Sequence, residues 1–231
     1  MPRAAAIHLR PTAPLAERVL LPGDPGRALA LAQELLVSPL MFNHHRGLWG
    51  YTGAAPDGEP LTIQATGMGG PSAAIVLTEL IALGARRAIR VGTCGALAPG
   101  LSLGELVIAR EAICADGTSR ALGAGERMSA DEELTQALIG QAPAARAGAV
   151  VSVDLFYDDD GRRPEADGAL AIEMEAAALF AVGAIAKAPV ACMLAVSDTF
   201  EAAGERTRIE DQALVEAAER MGVAAIAALS A

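Results

Sequence analysis

From end to end, short aliphatic runs of this chain take turns with longer segments whose apolar residues recur at helical spacing. A strand that is apolar on both sides needs helices over both faces of its sheet, so the alternation dictates an α/β fold. Strands are expected at Val19–Leu21, Leu61–Ala65, Ala88–Val91, Leu106–Ile108, Gly148–Val153, Ala169–Ile172 and Val190–Val196. Helices are expected at Arg27–Leu36, Ser72–Leu83, Asp131–Ile139, Met174–Ala186 and Glu210–Ala228. The helix from Ser72 is the best marked: Pro71 precedes it, Ile75, Leu80 and Leu83 give its apolar period, and Gly84 stands where a helix closes. No long Pro/Ser-rich linker, repeat or heptad interrupts the series, so residues 1–231 are read as a single domain. Organisation is weakest over Ala115–Gln141, and Asp158–Pro164 reads as a polar turn or mobile loop.

Composition narrows the partners. Hydrophobic residues make up 52% and aromatics only 3%, so the core must be aliphatic. With 18 basic against 28 acidic residues, the net charge of −10 disfavours nucleic acid and anionic membranes. Three cysteines (Cys94, Cys114, Cys192) lack CxxC spacing and read as reduced, buried thiols. The N-terminus lacks a signal-peptide core, and no apolar run is long enough to span a bilayer. A cytoplasmic protein is the expectation. His8, His44 and His45 have no metal-ligand spacing, so no metal is expected.

Against that acidic background, Arg27, Arg46 and Arg90 each stand beside glycine, in Gly23-Asp24-Pro25-Gly26-Arg27, Asn43-His44-His45-Arg46-Gly47 and Arg90-Val91-Gly92-Thr93-Cys94-Gly95. Glycine lets backbone amides approach an anion, and the first motif also opens a helix, whose N-terminus favours negative charge. Arg90 follows an aliphatic run, and a buried guanidinium there needs an anionic partner. A structural carboxylate would serve as well as a ligand. Three arginines converging on one tetrahedral anion, most simply phosphate, is the sharper reading. Thr66-Gly67-Met68-Gly69-Gly70-Pro71-Ser72 is a second strand–glycine–helix junction, either a packing turn or a place of close ligand approach.

Two carboxylates complete the candidate set. Glu175, in Ile172-Glu173-Met174-Glu175, has two acceptor oxygens that suit a vicinal diol, although acids in a first helical turn are also favourable without a ligand. Asp198, in Val196-Ser197-Asp198-Thr199-Phe200, stands where a buried strand is expected to leave the sheet, the edge at which α/β proteins bind ligands. Desolvation there could keep it protonated for general acid work; an Asx turn or helix cap is the plainer use.

Seven segments together, LPGDPGRA (21–28), NHHRGLWGYTG (43–53), TGMGGPSAAI (66–75), IRVGTCGA (89–96), SVDLFYD (152–158), IEMEAAALF (172–180) and AVSDTF (195–200), resemble in order the purine nucleoside phosphorylases of the bacterial hexameric type. The resemblance implies a three-layer αβα sandwich around a mixed, partly barrel-like sheet. It implies phosphorolysis of purine nucleosides to free base and (deoxy)ribose 1-phosphate, with phosphate as co-substrate and no cofactor. It places phosphate on Gly23, Arg27, Arg46, Arg90 and Thr93. Ribose falls to Met68, Met174, Glu175 and a neighbouring subunit's counterpart of His8. The base falls to Cys94, Gly95, Phe156, Ile172, Glu173, Ser197 and Asp198. Asp198 would protonate purine N7, its pKa raised for the task, with Arg206 assisting and Arg208 close enough to compete. A homohexamer built as a trimer of dimers is implied. A uridine phosphorylase or a hydrolytic nucleosidase of the same family is the alternative. Asp198, and the lack of any Gln between Gln141 and Gln212, favour purines over uridine. The choice among inosine, guanosine and adenosine stays open.

Overall fold

A computed structural model describes residues 6–157, 168–200 and 206–231. In chain order the first half runs β1 (Arg18–Leu21), α1 (Pro25–Leu35), β2 (Val37–Asn43), β3 (Gly50–Ala54), β4 (Pro60–Gln64), α2 (Gly70–Leu83), β5 (Arg87–Ala96) and β6 (Leu106–Cys114). It continues with α3 (Gly117–Ala121), β7 (Arg127–Ser129), α4 (Glu132–Gln141), β8 (Arg146–Ser152), β9 (Ala169–Glu173), α5 (Ala176–Ala186), β10 (Val190–Phe200), β11 (Arg206–Arg208) and α6 (Asp211–Ser230). A single 3₁₀ turn, His45–Gly47, joins β2 to β3.

All these strands belong to one mixed sheet. Five of them close a barrel in the order β5-β10-β6-β8-β9 and back to β5. The rest of the sheet extends from β5 through β1, β4, β3 and β2, while β11 pairs with β10 and β7 with β6. Alternation sorts the side chains. Val19 and Leu21 of β1, with Cys192, Leu194 and Val196 of β10, pack with Ala73, Val76, Leu77, Ala177 and Phe180 of α2 and α5. Leu20, Ile89, Val91, Ala191 and Met193 face the opposite way, onto Leu31, Leu138 and Met221 of α1, α4 and α6. Helices therefore cover both faces, and the expected αβα sandwich around a partly barrel-like sheet is the fold.

Local chemistry explains the ends of the helices. Asp24 caps α1, accepting from the Arg27 N–H at 2.7 Å, and Asp131 caps α4 through Leu134 at 3.0 Å. Gly84 (φ 126°) ends α2, its N–H bonding to Leu80 and Ile81 carbonyls. Arg18, buried at the start of β1, donates to both Asp57 oxygens at 2.6 Å and to Ser230 at 2.8 Å, which ties the end of α6 to the sheet.

Several expectations change. The strand expected to stop at Val91 runs on to Ala96, so Arg90 lies inside a strand and not beside a turn. The strand expected to end at Val196 continues to Phe200 past a bulge and pairs with β11, so Asp198 is still within the sheet. The helix expected from Met174 begins at Ala176. β2 and β3 were not expected; β2 is an edge strand exposed over its first five residues, where packing imposes no alternation. Ala115–Gln141 is more ordered than its composition suggests, holding α3, β7 and α4. The stretch 158–164 lies outside the described residues.

Candidate active site

Arg90 is the centre of the site. Alternation along β5 sends its side chain to the α2/α5 side of the sheet, where β9 leads into α5. There its Nη2 donates to Glu175 Oε2, and its Nε stands 3.5 Å from Glu173 Oε2. Burial alone would lower the pKa of this guanidinium. The charges of Glu175 and Glu173 outweigh that cost and hold it above the ordinary arginine value. Glu173 supports the arrangement from beneath. Its carboxylate accepts from the Glu175 N–H at 2.9 Å and from the Ala176 N–H at 2.9 and 3.0 Å, capping α5. Ser152 also donates to it, and the Ala177 N–H donates to the Ser152 hydroxyl at 2.9 Å. Burial, reinforced by Glu175, pushes the Glu173 carboxyl upward despite Arg90. Glu173 was expected to line a base pocket; its side chain is instead fully buried under Arg90.

Glycines make the room. A Cβ on Gly92 would come 2.8 Å from Arg90 Nη2, so the guanidinium folds back over its own strand only because that position has no side chain. A Cβ on Gly23 would lie 3.4 Å from the Gly67 carbonyl and 3.8 Å from Arg90 Nη1, which brings the two glycine junctions and Arg90 to one place. Gly69 (φ 86°) donates its N–H to Glu175 Oε1 at 2.6 Å, so Glu175 is gripped from two sides. Arg90 Nε and Nη1 remain buried without a hydrogen-bond partner. Arg27, half-buried on the first turn of α1, has its pKa lowered by burial; Asp24 opposes this, and the nearby positive charges of Arg90 and Arg208 add to it. Thr93 is half-buried further along β5.

Across the sheet, Asp198 lies beside Gly95 in the β5–β10 register. Its Oδ1 accepts from Arg206 Nε at 2.7 Å and stands 3.6 Å from Arg208 Nη1; its Oδ2 accepts from Ser197 Oγ at 2.6 Å. Of the two arginines that compete for Asp198, Arg206 makes the direct hydrogen bond. Burial pushes the Asp198 carboxyl up, but the hydrogen bonds from Arg206 and Ser197 and the charges of Arg206 and Arg208 prevail. Its pKa is lowered, so burial in the free protein does not raise it, and a raised value for the task has to come with bound substrate.

Several of the residues expected around the base lie near Asp198. Ile172 pairs with Gly95, and Cys94 lies buried, its thiol pushed up by burial and by the charges of Glu173 and Asp198. The Phe156 ring carries the Arg206 guanidinium 4.2 Å above it and meets Tyr157 edge-on. A Cβ on Gly95 would meet Phe200 at 2.9 Å and Ile172 at 3.1 Å, so Phe200, a residue not expected in the site, also reaches into this group. Its position two residues past Asp198 was the available signal. Met174 is half-buried, and Met68 is 86% exposed.

Arg46 departs from the expected convergence. It is exposed, holds left-handed backbone (φ 60°, ψ 20°) and makes no hydrogen bond or ion pair among the described residues. It belongs to a separate patch with His8. There His45 Nδ1 bonds to the His8 carbonyl at 3.0 Å, and Asn43 Oδ1 accepts from the Arg10 N–H at 2.8 Å. Within one chain, Arg27 is near enough to Arg90 to feel its charge, and Arg46 stands apart. Among the described residues, no group of three His, Cys, Asp or Glu side chains is placed to hold a metal, and no helix is long and apolar enough to cross a membrane.

A barrel-centred αβα sheet that carries Arg90 clasped by Glu175 and Glu173 on one strand and Asp198 held by Arg206 on its neighbour defines an α/β protein with buried charges concentrated at one part of the sheet. A profile of the phosphorylase superfamily matches residues 17–230. The chain is 36% identical over 213 residues to a DeoD-type purine nucleoside phosphorylase of Geobacillus kaustophilus, covering 87% of this chain and 88% of that protein. It is 36% identical over 220 residues to one from Clostridium beijerinckii, covering 90% and 92%, and 37% identical over 208 to one from Exiguobacterium sibiricum, covering 86% and 88%. The chain belongs to the phosphorylase superfamily.

Proposed function

We propose that the protein cleaves purine nucleosides with inorganic phosphate, releasing the free base and (deoxy)ribose 1-phosphate. The observation that carries this is Arg90: a charged, buried guanidinium whose Nη1 has no hydrogen-bond partner and whose Nε has only Glu173 at 3.5 Å, near enough to Arg27 for its charge to lower the pKa there. Orphaned buried donors are costly, and an oxyanion relieves both the missing hydrogen bonds and the repulsion. The relatives' names supply the substrate class.

In this reading phosphate lies against Arg27, Arg90, Thr93 and the backbone at Gly23, while Glu175 takes the ribose hydroxyls and Met68 and Met174 flank the sugar. A phosphate oxygen attacks C1′ as the glycosidic C–N bond breaks and its electron pair moves onto the purine. Phosphate and Glu175 stabilise the cationic sugar. Asp198 protonates N7, the atom through which the leaving base is neutralised. Because Arg206 and Ser197 hold the Asp198 pKa down in the free protein, Asp198 takes up its proton from solvent as the nucleoside binds. The purine excludes water, and its N7 lone pair favours a carboxyl that can donate. Phe156, Ile172, Cys94 and Gly95 hold the ring.

His8 and Arg46 would act on a neighbouring copy. Gly69 grips Glu175 at the start of α2, whereas His8 is anchored to Glu79, ten residues further along that helix. At a rise of 1.5 Å per residue, that is about 15 Å from the chain's own ribose carboxylate. A homohexamer is the assembly we propose.

The test is release of base from inosine, guanosine, adenosine and uridine, with and without phosphate. Purine release that requires phosphate supports the reading. Equal rates without phosphate would assign a hydrolase, and preference for uridine would assign the pyrimidine branch.

A further inference from the structure

Glu79 is a buried carboxylate in the middle of α2, a helix whose other buried residues are small or apolar. Its partners all come from the N-terminal segment. It accepts from the Ile7 N–H at 3.0 Å, the His8 N–H at 3.0 and 3.1 Å and the Leu9 N–H at 2.8 Å, and it meets His8 Nδ1 at 2.7 Å. Burial pushes its pKa up, but these bonds prevail and hold it below the ordinary carboxylate value. A carboxylate satisfied by three successive backbone amides would suffice to pin the segment. The additional bond to the imidazole fixes something else, namely which way the ring faces and where its proton sits.

We infer that Glu79 is a positioning residue for His8, setting the ring so that Nε2 is the atom presented to the sugar 5′-hydroxyl of the nucleoside in a neighbouring copy. An ionised carboxylate only accepts, so Nδ1 must carry a proton, and Nε2 is left as the outward group. A ring nitrogen held by a carboxylate is the usual way to orient the opposite nitrogen toward a ligand. The His45 bond to the His8 carbonyl holds the backbone from the other side, so the ring has one anchored orientation. The inference rests on the proposed role of His8 and adds the residue that makes the role geometrically possible.

The test compares kcat/KM for inosine and 5′-deoxyinosine in the full-length protein, His8→Ala, Glu79→Gln and the double variant. The wild type should favour inosine by roughly tenfold, the scale of one well-made hydrogen bond. His8→Ala and Glu79→Gln should each bring the ratio to within about twofold of unity, and their effects on the ratio should not add in the double variant. Glu79→Asp keeps the charge but shortens the reach. It should lose about half of the preference on a logarithmic scale and serves as the test if Glu79→Gln does not fold. Glu79 variants that keep the wild-type ratio, or that slow both substrates equally, overturn the inference while leaving His8 in place. An unchanged ratio in His8→Ala overturns the His8 role and the inference with it.

Discussion

Arg90 and Asp198 are both nearly fully buried charges on paired strands, yet they are held in opposite ways. Arg90 is locked by two carboxylates, with a serine and three backbone amides behind them, all deep in the fold. Asp198 is held by Arg206, whose side chain is about one-third exposed and rests on an exposed ring, Phe156. The Arg90 side is thus held in place entirely from within the fold. The Asp198 side is held by a pairing that the proposed reaction would have to exchange, because the same arginine that orients Asp198 also holds its pKa down. Preorganisation stabilises charge without reorganisation, whereas a proton donor has to change state once per turnover.

The sharpest way to break this contrast is Asp198→Asn. Loss of the transferable proton should lower kcat for purine nucleosides by about 10²–10⁴-fold with little change in nucleoside binding. Steady-state kinetics and equilibrium titration together check it, and an unchanged kcat removes Asp198 from the chemistry. Arg90→Ala should follow, with kcat/KM for phosphate down about 10²–10³-fold. It should also lower thermal stability markedly, since two buried carboxylates lose their counter-charge. Unaltered phosphate saturation would show that the anion lies elsewhere. A milder perturbation of the same side is Gly92→Ala, whose methyl would displace the guanidinium while leaving every charge present. A rise of about tenfold in the phosphate KM, with nucleoside KM unchanged, is expected from one misplaced charge-assisted donor.

The smallest effect concerns pH. Asp198 has its pKa depressed in the folded chain, so its pairing contributes stability that is complete above the unfolded value of about 3.9 and is lost as pH falls through the folded value. Arg206→Gln should therefore lower the melting temperature by about 1–3 °C at pH 7, a modest figure because Arg206 is partly solvated. The two melting curves should converge as pH is taken down through the folded Asp198 pKa. A gap that persists there would mean that Arg206 stabilises through packing on Phe156 alone.

Much of this was legible in the sequence, for identifiable reasons. α1 and α2 announce themselves through Asp24, Pro25, Pro71 and Gly84, residues whose backbone preferences act locally. The aliphatic strands showed because they are buried on both faces. The errors fell where one residue type serves two purposes. Gly92 and Gly95 read as turn formers but are strand residues kept small to admit Arg90 and Phe200. Glu173 and Glu175 look alike in a helix start, and only the coordinates separate the carboxylate that caps α5 from the one that faces Arg90 and Gly69. Glu79 has no distinguishing neighbours at all; its partners lie about seventy residues away. Arg46 fails to join Arg27 and Arg90 for a different reason, since its place in the fold presents it outward.

The gap of 85 residues between Arg90 and Glu175 also bears on how the chain acquires its shape. While it is being synthesised or refolded, β5 exists long before β9, α5 or β10, and no counter-ion for its arginine has yet been made. Dehydrating a lone guanidinium is prohibitively costly, so the nascent strand must stay wet at that point. Closing the barrel through β9 and neutralising Arg90 both require the same long loop to be drawn together. Arg90 can lose its water only when β9 and α5 bring Glu173 and Glu175 to it.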